Sequence, residues 1–211
     1  MVLDMKNIIW DMDGTLIDSY ESIVDEIEIV LSNFKQSYPR DMIREMIQQH
    51  SASHFFKYVS DNVGTCYEDM WDCYNSLPVD CSKITLMPNV KETLIELCER
   101  GDRNFVYTHR GDSTFDILKL NGIDEYFTEI VSKRNGFKRK PSSEAIDYLV
   151  SKYEMDRKDT YYVGDRIIDQ ECAKASGIGR IYYQSYMGFT LDSNDYDYYI
   201  DDINELLKLN I

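Results

Sequence analysis

The sequence predicts an α/β fold built on a parallel sheet, with an all-helical insertion after the first strand. Three observations predict it. Five short apolar runs, Ile8–Trp10, Phe105–Tyr107, Ile130–Val131, Tyr161–Val163 and Ile181–Tyr183, are separated by stretches of helical periodicity, and strands alternating with helices imply a parallel sheet. From about Ser19 to Ile84 the alternation stops, leaving helical patterns and no strand pattern. The chain of 211 residues is long enough for one α/β domain and an insertion of roughly 65 residues, a length that small helical domains reach.

Each element follows in order. The first run ends in Asp11-Met12-Asp13-Gly14-Thr15. The insertion opens with the amphipathic "SIVDEIEIVLSNF", which carries Ile23, Ile27, Val30, Leu31 and Phe34 on one side. "RDMIREMIQQ" places Met42, Ile43, Met46 and Ile47 at helical spacing, and its methionines read as core packing. Pro88 marks the return to the α/β part. Residues 1–16 and 86–211 therefore form the core, and 17–85 the insertion. In "VKETLIELCERG" Val90, Leu94, Leu97 and Cys98 share a helix face, and Gly101 suits the position after its end. The tail "LDSNDYDYYIDD" lacks the Gly and Glu that a calcium loop needs at its sixth and twelfth positions, where Asp197 and Ile203 stand. It reads as a solvated acidic loop and a short strand near Tyr198–Ile200, followed by a helix in "INELLKLN".

A net charge of -15 argues against nucleic acid, because little here would neutralise a phosphate backbone. The cysteines, Cys66, Cys73, Cys81, Cys98 and Cys172, are odd in number and contain no Cys-x-x-Cys. They read as reduced thiols of a cytoplasmic protein. No run has transmembrane length and no leader is visible. The expectation is a partner that is a small molecule, no nucleic acid, no membrane, and a monomer or small homo-oligomer.

In an open parallel sheet ligands bind beyond the carboxyl ends of the strands. At those ends stand Asp11 and Asp13, then Thr108, His109 and Arg110, then Gly164-Asp165 with Asp169. Between the third and fourth strands lies "FKRKPSS", the densest basic stretch, with Lys140. Two carboxylates one residue apart cost energy, and a fold tolerates that mainly where a cation or a reaction needs them. Mg2+ takes oxygen ligands and shares its shell with substrate phosphate. A hydroxyl and an ammonium hold phosphate oxygens. Each feature alone has a commonplace reading: Asp-Gly as a turn, Thr108 as a strand-end residue, Gly164-Asp165 as a helix cap. Their joint placement carries the argument.

"DMDGTLIDS", "YTHRG", "KPSS" and "GDRIIDQECAKASGI" resemble the four motifs of the haloacid dehalogenase (HAD) superfamily. The insertion resembles the helical cap of its subfamily I, and the whole, over residues 7 to 205, is similar to phosphoglycolate-phosphatase-like and β-phosphoglucomutase-like members. The resemblance implies a HAD-like, Rossmann-like core with a small helical cap. It implies that Asp11 is the nucleophile that becomes an aspartyl phosphate. Asp13 would be the general acid and then the base, its backbone carbonyl also binding metal. Thr108 and Lys140 would hold the substrate phosphate, with Lys140 screening the nucleophile. His109 is a further candidate phosphate binder through a backbone contact, its competing reading a solvated loop residue. Asp165 and Asp169 would join Asp11 and Asp13 at a Mg2+ site, Asp165 as the favoured direct ligand. His109 departs from the family, which usually has a small or amide residue there; it and Arg110 put two bulky side chains near the mouth, and Arg110 is a candidate specificity residue.

In subfamily I caps a loop between early helices dips over the site. By position that is 48–56, which makes His50, Ser51, Ser53 and His54 candidates for specificity; the competing reading is a polar inter-helix loop with an N-cap at Ser51 or Ser53. Asp18 has no carried-over role and reads as a polar turn residue. The implied function is a Mg2+-dependent phosphatase acting on a small phosphorylated metabolite. The alternatives are a phosphomutase of the β-phosphoglucomutase type and, in another class, a non-catalytic phosphate-binding or receiver-like switch protein. A receiver lacks the Asp-x-Asp-Gly-Thr order and the insertion.

Overall fold

A computed structural model describes residues 5–186 and 190–211. They divide into two compact units, residues 5–18 with 85–186 and 190–211, and residues 19–84. In chain order the first unit begins with β1 (Asn7–Trp10) and β2 (Ile17–Asp18). The second unit is α1 (Tyr20–Asn33), α2 (Arg40–Gln49), α3 (Ala52–Val63) and α4 (Tyr67–Ser76). The first unit resumes with β3 (Thr85–Leu86), α5 (Val90–Arg100), β4 (Arg103–Tyr107), α6 (Ser113–Leu120), β5 (Phe127–Val131) and α7 (Glu144–Lys152). It ends with β6 (Thr160–Gly164), α8 (Ile167–Ser176), β7 (Gly179–Tyr183) and β8 (Tyr198–Ile200).

The main sheet has the order β5-β4-β1-β6-β7-β8, and every pairing in it is parallel. β1 is central and wholly buried, which is why it reads as a continuous apolar run rather than an alternating one. From β1 the chain builds one side of the sheet, β4 then β5, and afterwards crosses to build the other. The order therefore reverses beside β1, and its carboxyl end opens onto the crevice where such sheets take ligands. One core cluster under the sheet unites Ile9, Phe105, Tyr107, Tyr162 and Cys172. Trp10 is buried with its indole N–H satisfied, donating to Asn104 Oδ1 at 3.0 Å.

The second sheet is a ribbon of two residues a side. Ile17 lies opposite Leu86 and Asp18 opposite Thr85, antiparallel. This ribbon keeps residues 17, 18 and 85 with the α/β unit. In α5, Val90, Leu94 and Leu97 are buried, but Thr93 is buried with them and Cys98 is exposed. At 100° per residue Cys98 sits on the edge of the stripe that the other three define. Gly101 takes φ 88 after the helix, and its N–H bonds the Cys98 carbonyl at 3.0 Å. The tail holds the expected short strand and a final helix, which over Ile203–Lys208 is of the 3-10 kind. Its backbone closes i→i+3, as from Glu205 N–H to Asp202 O at 3.0 Å, and the Asp202 side chain takes the Asn204 N–H at 3.0 Å. So short a segment favours the tighter turn.

The helical unit buries Val24, Ile27, Val30 and Leu31 from α1 and Ile43 and Ile47 from α2. Ile23, Phe34, Met42 and Met46 are half-buried. Its centre is aromatic: Phe55 and Phe56 are fully buried, and Phe56 packs on Tyr74 with ring centroids 5.5 Å apart. Among the described residues no helix is long and apolar enough to cross a membrane.

Candidate active site

Asp11 follows β1 directly and extends its ladder, with its N–H on Val163 O at 2.9 Å. The chain then turns tightly. Gly14 takes φ 81, a conformation open to glycine at little cost. Leu16 and Ile17 both donate to the Met12 carbonyl, at 2.9 and 3.0 Å. The turn holds Asp11, buried, and Asp13, partly open, at the same end of β1.

At the end of β6 stand Gly164 and Asp165. A Cβ on Gly164 would fall 2.5 Å from Asp169 Cβ, so only glycine lets the strand end pass this close to α8. Asp169 opens α8, where its Oδ2 accepts the Arg166 N–H at 3.1 Å. Thr15 donates to Asp165 Oδ1 at 3.2 Å. Carboxylate oxygens of Asp11, Asp165 and Asp169 lie within 4.8 Å of one another.

Lys140, which precedes Pro141, runs into this cluster and is fully enclosed. Its Nζ lies 2.6 Å from Asp11 Oδ1 and 2.7 Å from Asp169 Oδ1. The rings of Tyr107 and Tyr162 lie 5.0 and 5.1 Å from the ammonium. Burial pushes the Lys140 ammonium down, but Asp11 and Asp169 outweigh it, and the net shift is upward. Burial and the like charge of Asp169 push the Asp11 carboxyl up, against Lys140 and Arg166, and the net shift is again upward. Two carboxylates share one ammonium here, with Asp165 close by. The cluster is short of positive charge and its donors are hard oxygens, which is the set that Mg2+ takes.

Thr108 is buried at the end of β4, with its N–H on Val131 O at 2.9 Å. Its Oγ accepts the Arg110 N–H at 3.1 Å. His109 does something the sequence did not suggest. Its Nε2 accepts the Lys140 backbone N–H at 2.8 Å, tying the β4 loop to the lysine loop. Burial, and then the cations of Lys140, Arg139 and Arg166, hold its pKa down to about 2. The ring is neutral, and Nε2 has no proton to offer a phosphate, so any phosphate contact at this position falls to the rest of the residue. Arg110 reaches Asp13: Nε lies 3.0 Å from Oδ1 and 3.3 Å from Oδ2.

Sequence reasoning missed three side chains. Arg166 lies with Nη2 3.5 Å from Asp11 Oδ2; its place between the aspartates of "GDRIID" was the available signal. Tyr107 and Tyr162 flank Lys140 but read in the sequence as ordinary strand residues. Asp18, exposed in β2, accepts from Tyr186 Oη at 2.8 Å. The cap candidates stand in the helical unit where α2 meets α3. Ser51 caps α3 by accepting the His54 N–H at 3.1 Å, and the rings of His50 and His54 lie 4.2 Å apart. Ser53 Oγ is 2.8 Å from Tyr67 Oη.

A family model of haloacid dehalogenase-like hydrolases matches residues 8–183. The chain belongs to that family. This HAD hydrolase is 27% identical over 176 residues to the pyrophosphatase PpaX of Bacillus pumilus, covering 82% of this chain and 80% of that protein. It is 27% identical over 225 residues to a phosphoglycolate phosphatase of Haemophilus influenzae, covering 99% of this chain and 100% of the other. Its fold matches a HAD-superfamily hydrolase of subfamily IA from Geobacter sulfurreducens with a TM-score of 0.75, at 19% identity, covering 97% and 95% of the two chains.

Proposed function

We propose that this HAD hydrolase is a Mg2+-dependent phosphatase that releases phosphate from a small phosphorylated metabolite through an aspartyl phosphate on Asp11. The observation that carries the reading is the placement of Asp11. It is a buried carboxylate at the sheet's switch point, with one oxygen on Lys140 and the other near Arg166. The pyrophosphatase and phosphoglycolate phosphatase relatives support the reaction class.

The roles follow from the contacts. Asp11 Oδ2 attacks phosphorus while Lys140 holds Oδ1, which orients the carboxylate and screens its charge from the phosphoryl oxygens. A covalent intermediate splits a slow hydrolysis into two easier steps. Thr108 Oγ already accepts from the Arg110 N–H, so its own proton points elsewhere and can serve a phosphoryl oxygen. Asp13 protonates the leaving oxygen and later takes a proton from the attacking water. Asp169 has both oxygens engaged, by Lys140 and by the Arg166 N–H, and its first role is to hold the lysine. Asp11, Asp165 and the Asp13 carbonyl would hold Mg2+, which when bound neutralises phosphoryl charge.

The test is a panel of phosphorylated metabolites with Mg2+, read for free phosphate and for the dephosphorylated product. Equal yields of the two support the reading. Phosphate isomers without free phosphate would assign a phosphomutase instead. The metal is checked separately by thermal unfolding in EDTA and in excess Mg2+. At about 100 times Kd the ion adds about 2.7 kcal/mol of stability, and Asp165→Asn should lose that gain.

A further inference from the structure

We propose that Arg110 couples recognition of a second anionic group to the general acid. In the free enzyme its guanidinium holds the Asp13 carboxylate, and an anionic group elsewhere on the substrate displaces Asp13, which then turns to the leaving oxygen. The inference rests on the phosphatase reading and adds to it the chemical class of the substrate: a phosphate ester carrying a carboxylate or a further phosphate.

The geometry is a fork on a carboxylate. Arg110 Nε reaches both oxygens of Asp13, at 3.0 and 3.3 Å, and Nη2 reaches Oδ1 at 2.5 Å. Nη1 lies 3.4 Å from Ser113 Oγ. The backbone that carries this guanidinium is fixed at both ends. Its N–H is on Thr108 Oγ, and its carbonyl takes the Lys133 N–H at 3.0 Å. The Arg110 side chain is 9% exposed and that of Asp13 20%, so the pair is held in the wall of the site and not on open surface. Planar bidentate pairs of this kind combine strength with strict orientation.

That orientation conflicts with acid catalysis. A general acid must present an O–H to the leaving oxygen, and a carboxylate whose two oxygens both accept from a guanidinium presents none. Asp13 must therefore leave the fork in each turnover. A carboxylate or phosphate on the substrate is the partner suited to replace it, because it offers the guanidinium the same acceptors. One anion is exchanged for another, so the equilibrium between held and released Asp13 is tipped by the substrate's own affinity for the fork. The other cations of the site are committed differently: Lys140 lies between Asp11 and Asp169, and Arg166 lies beside Asp11. Arg110 alone among these three is paired with the carboxylate that must move.

The atoms balance without further reactants. On release from the fork Asp13 takes a proton from water. That proton passes to the leaving alkoxide as its P–O bond breaks and the bond from Asp11 Oδ2 to phosphorus forms. The water that then cleaves the aspartyl phosphate gives one proton to Asp13, which returns it to solvent as the carboxylate re-enters the fork. The net change is ester plus water to alcohol plus phosphate.

The experiment compares three substrates with Mg2+: phosphoglycolate, 2-hydroxyethyl phosphate and p-nitrophenyl phosphate. The first two differ only by a carboxylate in place of a CH2OH group. The third has a leaving group that departs with little need of a proton. Wild type should turn over phosphoglycolate at least about tenfold faster in kcat than 2-hydroxyethyl phosphate, and by no more than the roughly 10^4 that acid catalysis supplies. In Arg110→Gln that ratio should collapse toward 1. KM for phosphoglycolate should rise and kcat for 2-hydroxyethyl phosphate should increase, with p-nitrophenyl phosphate moving less than either. Arg110→Lys should restore part of the ratio. A common fall in kcat on all three substrates, or an unchanged ratio in a folded Arg110→Gln, overturns the coupling. Phosphate release from none of the three by wild type overturns the phosphatase reading, and the coupling with it.

Discussion

Two ionic clusters, one in each unit, both gather carboxylates around basic side chains and differ in how they are solvated. In the α/β unit Lys140 sits between Asp11 and Asp169, with side chains 0%, 2% and 0% exposed. In the helical unit Arg40 meets Glu21, Asp25 and Glu28, and Arg44 meets Glu21 and Asp41, with side chains 30% to 93% exposed. Water screens the second cluster and makes it cheap to keep and cheap to lose. The first has been taken out of water, at a cost that mutual attraction only partly offsets. A fold keeps such a cluster when the field it creates has a use, which under the proposed function is the orientation and screening of Asp11 as nucleophile.

The largest test of that contrast is Asp11→Asn. The amide is nearly isosteric but cannot attack phosphorus, and turnover should fall by about 10^6-fold, the scale seen when a covalent nucleophile is removed. Circular dichroism should show the fold intact. Residual activity within tenfold of wild type would remove Asp11 from the chemistry and leave the buried cluster unexplained.

Lys140→Met comes next. It leaves Asp11 and Asp169 facing each other in a buried site, and breaking a buried pair in this way costs about 3 to 5 kcal/mol. Urea unfolding measures the loss. Adding Asp169→Asn to the same chain should recover part of it, since one of the uncompensated charges is then gone.

His109 gives a pH-dependent test of smaller size. Its pKa of about 2 in the fold lies below its ordinary value of about 6.5, so the unfolded chain binds the extra proton first. Its contribution to stability is full above about pH 6.5 and is lost as pH falls. Between pH 6.5 and 4.5 the loss is about 2 kcal/mol. His109→Gln keeps an acceptor for the Lys140 N–H and cannot titrate. The difference between the two proteins in urea midpoint should therefore narrow or reverse as pH falls.

The smallest effect is expected at Arg40→Ala. It should lower the urea midpoint slightly in low salt and not measurably in 0.5 M salt, because the pairs it breaks are exposed and screened. A loss as large as that of Lys140→Met would erase the contrast between the two clusters.

Much of this was legible in the sequence because the physics there is local. β1, β4 and β6 are buried on both faces and read as apolar runs, so the residues at their ends, Asp11, Thr108 and Asp165, could be named directly. The helical run from Ser19 to Ile84 showed itself by period alone. What escaped notice depends on distant partners or on very short elements. β2 and β3 are two residues each, below the length at which alternation can be seen. Asp169 read as part of a metal site, and its carboxylate does lie with those of Asp11 and Asp165. What could not be read is that its oxygens also serve Lys140 and the Arg166 N–H, 29 residues away in one case and three in the other. His109 read as a phosphate contact, and only the fold brings Lys140 N–H to its ring. Cys98 fell on the exposed edge of α5, where periodicity cannot separate a stripe from its border. The final segment carried a helical pattern too short to distinguish an α-helix from a 3-10 turn.

The small ribbon of β2 and β3 has a consequence for how this chain can be taken apart. Both crossings between the α/β unit and the helical unit run through it, and they run side by side: Asp18 is opposite Thr85. The 66 residues numbered 19 to 84 thus hang on two adjacent stems, like a cassette. Antiparallel neighbours at that spacing are what a two-residue Asn-Gly turn joins. Cutting after Asp18, inserting Asn-Gly and resuming at Thr85 leaves every strand of the main sheet in its register. The same two stems offer a splice point for a helical unit of different sequence, so that the part carrying the α2–α3 junction can be traded while the Asp11 end of the sheet stays as it is.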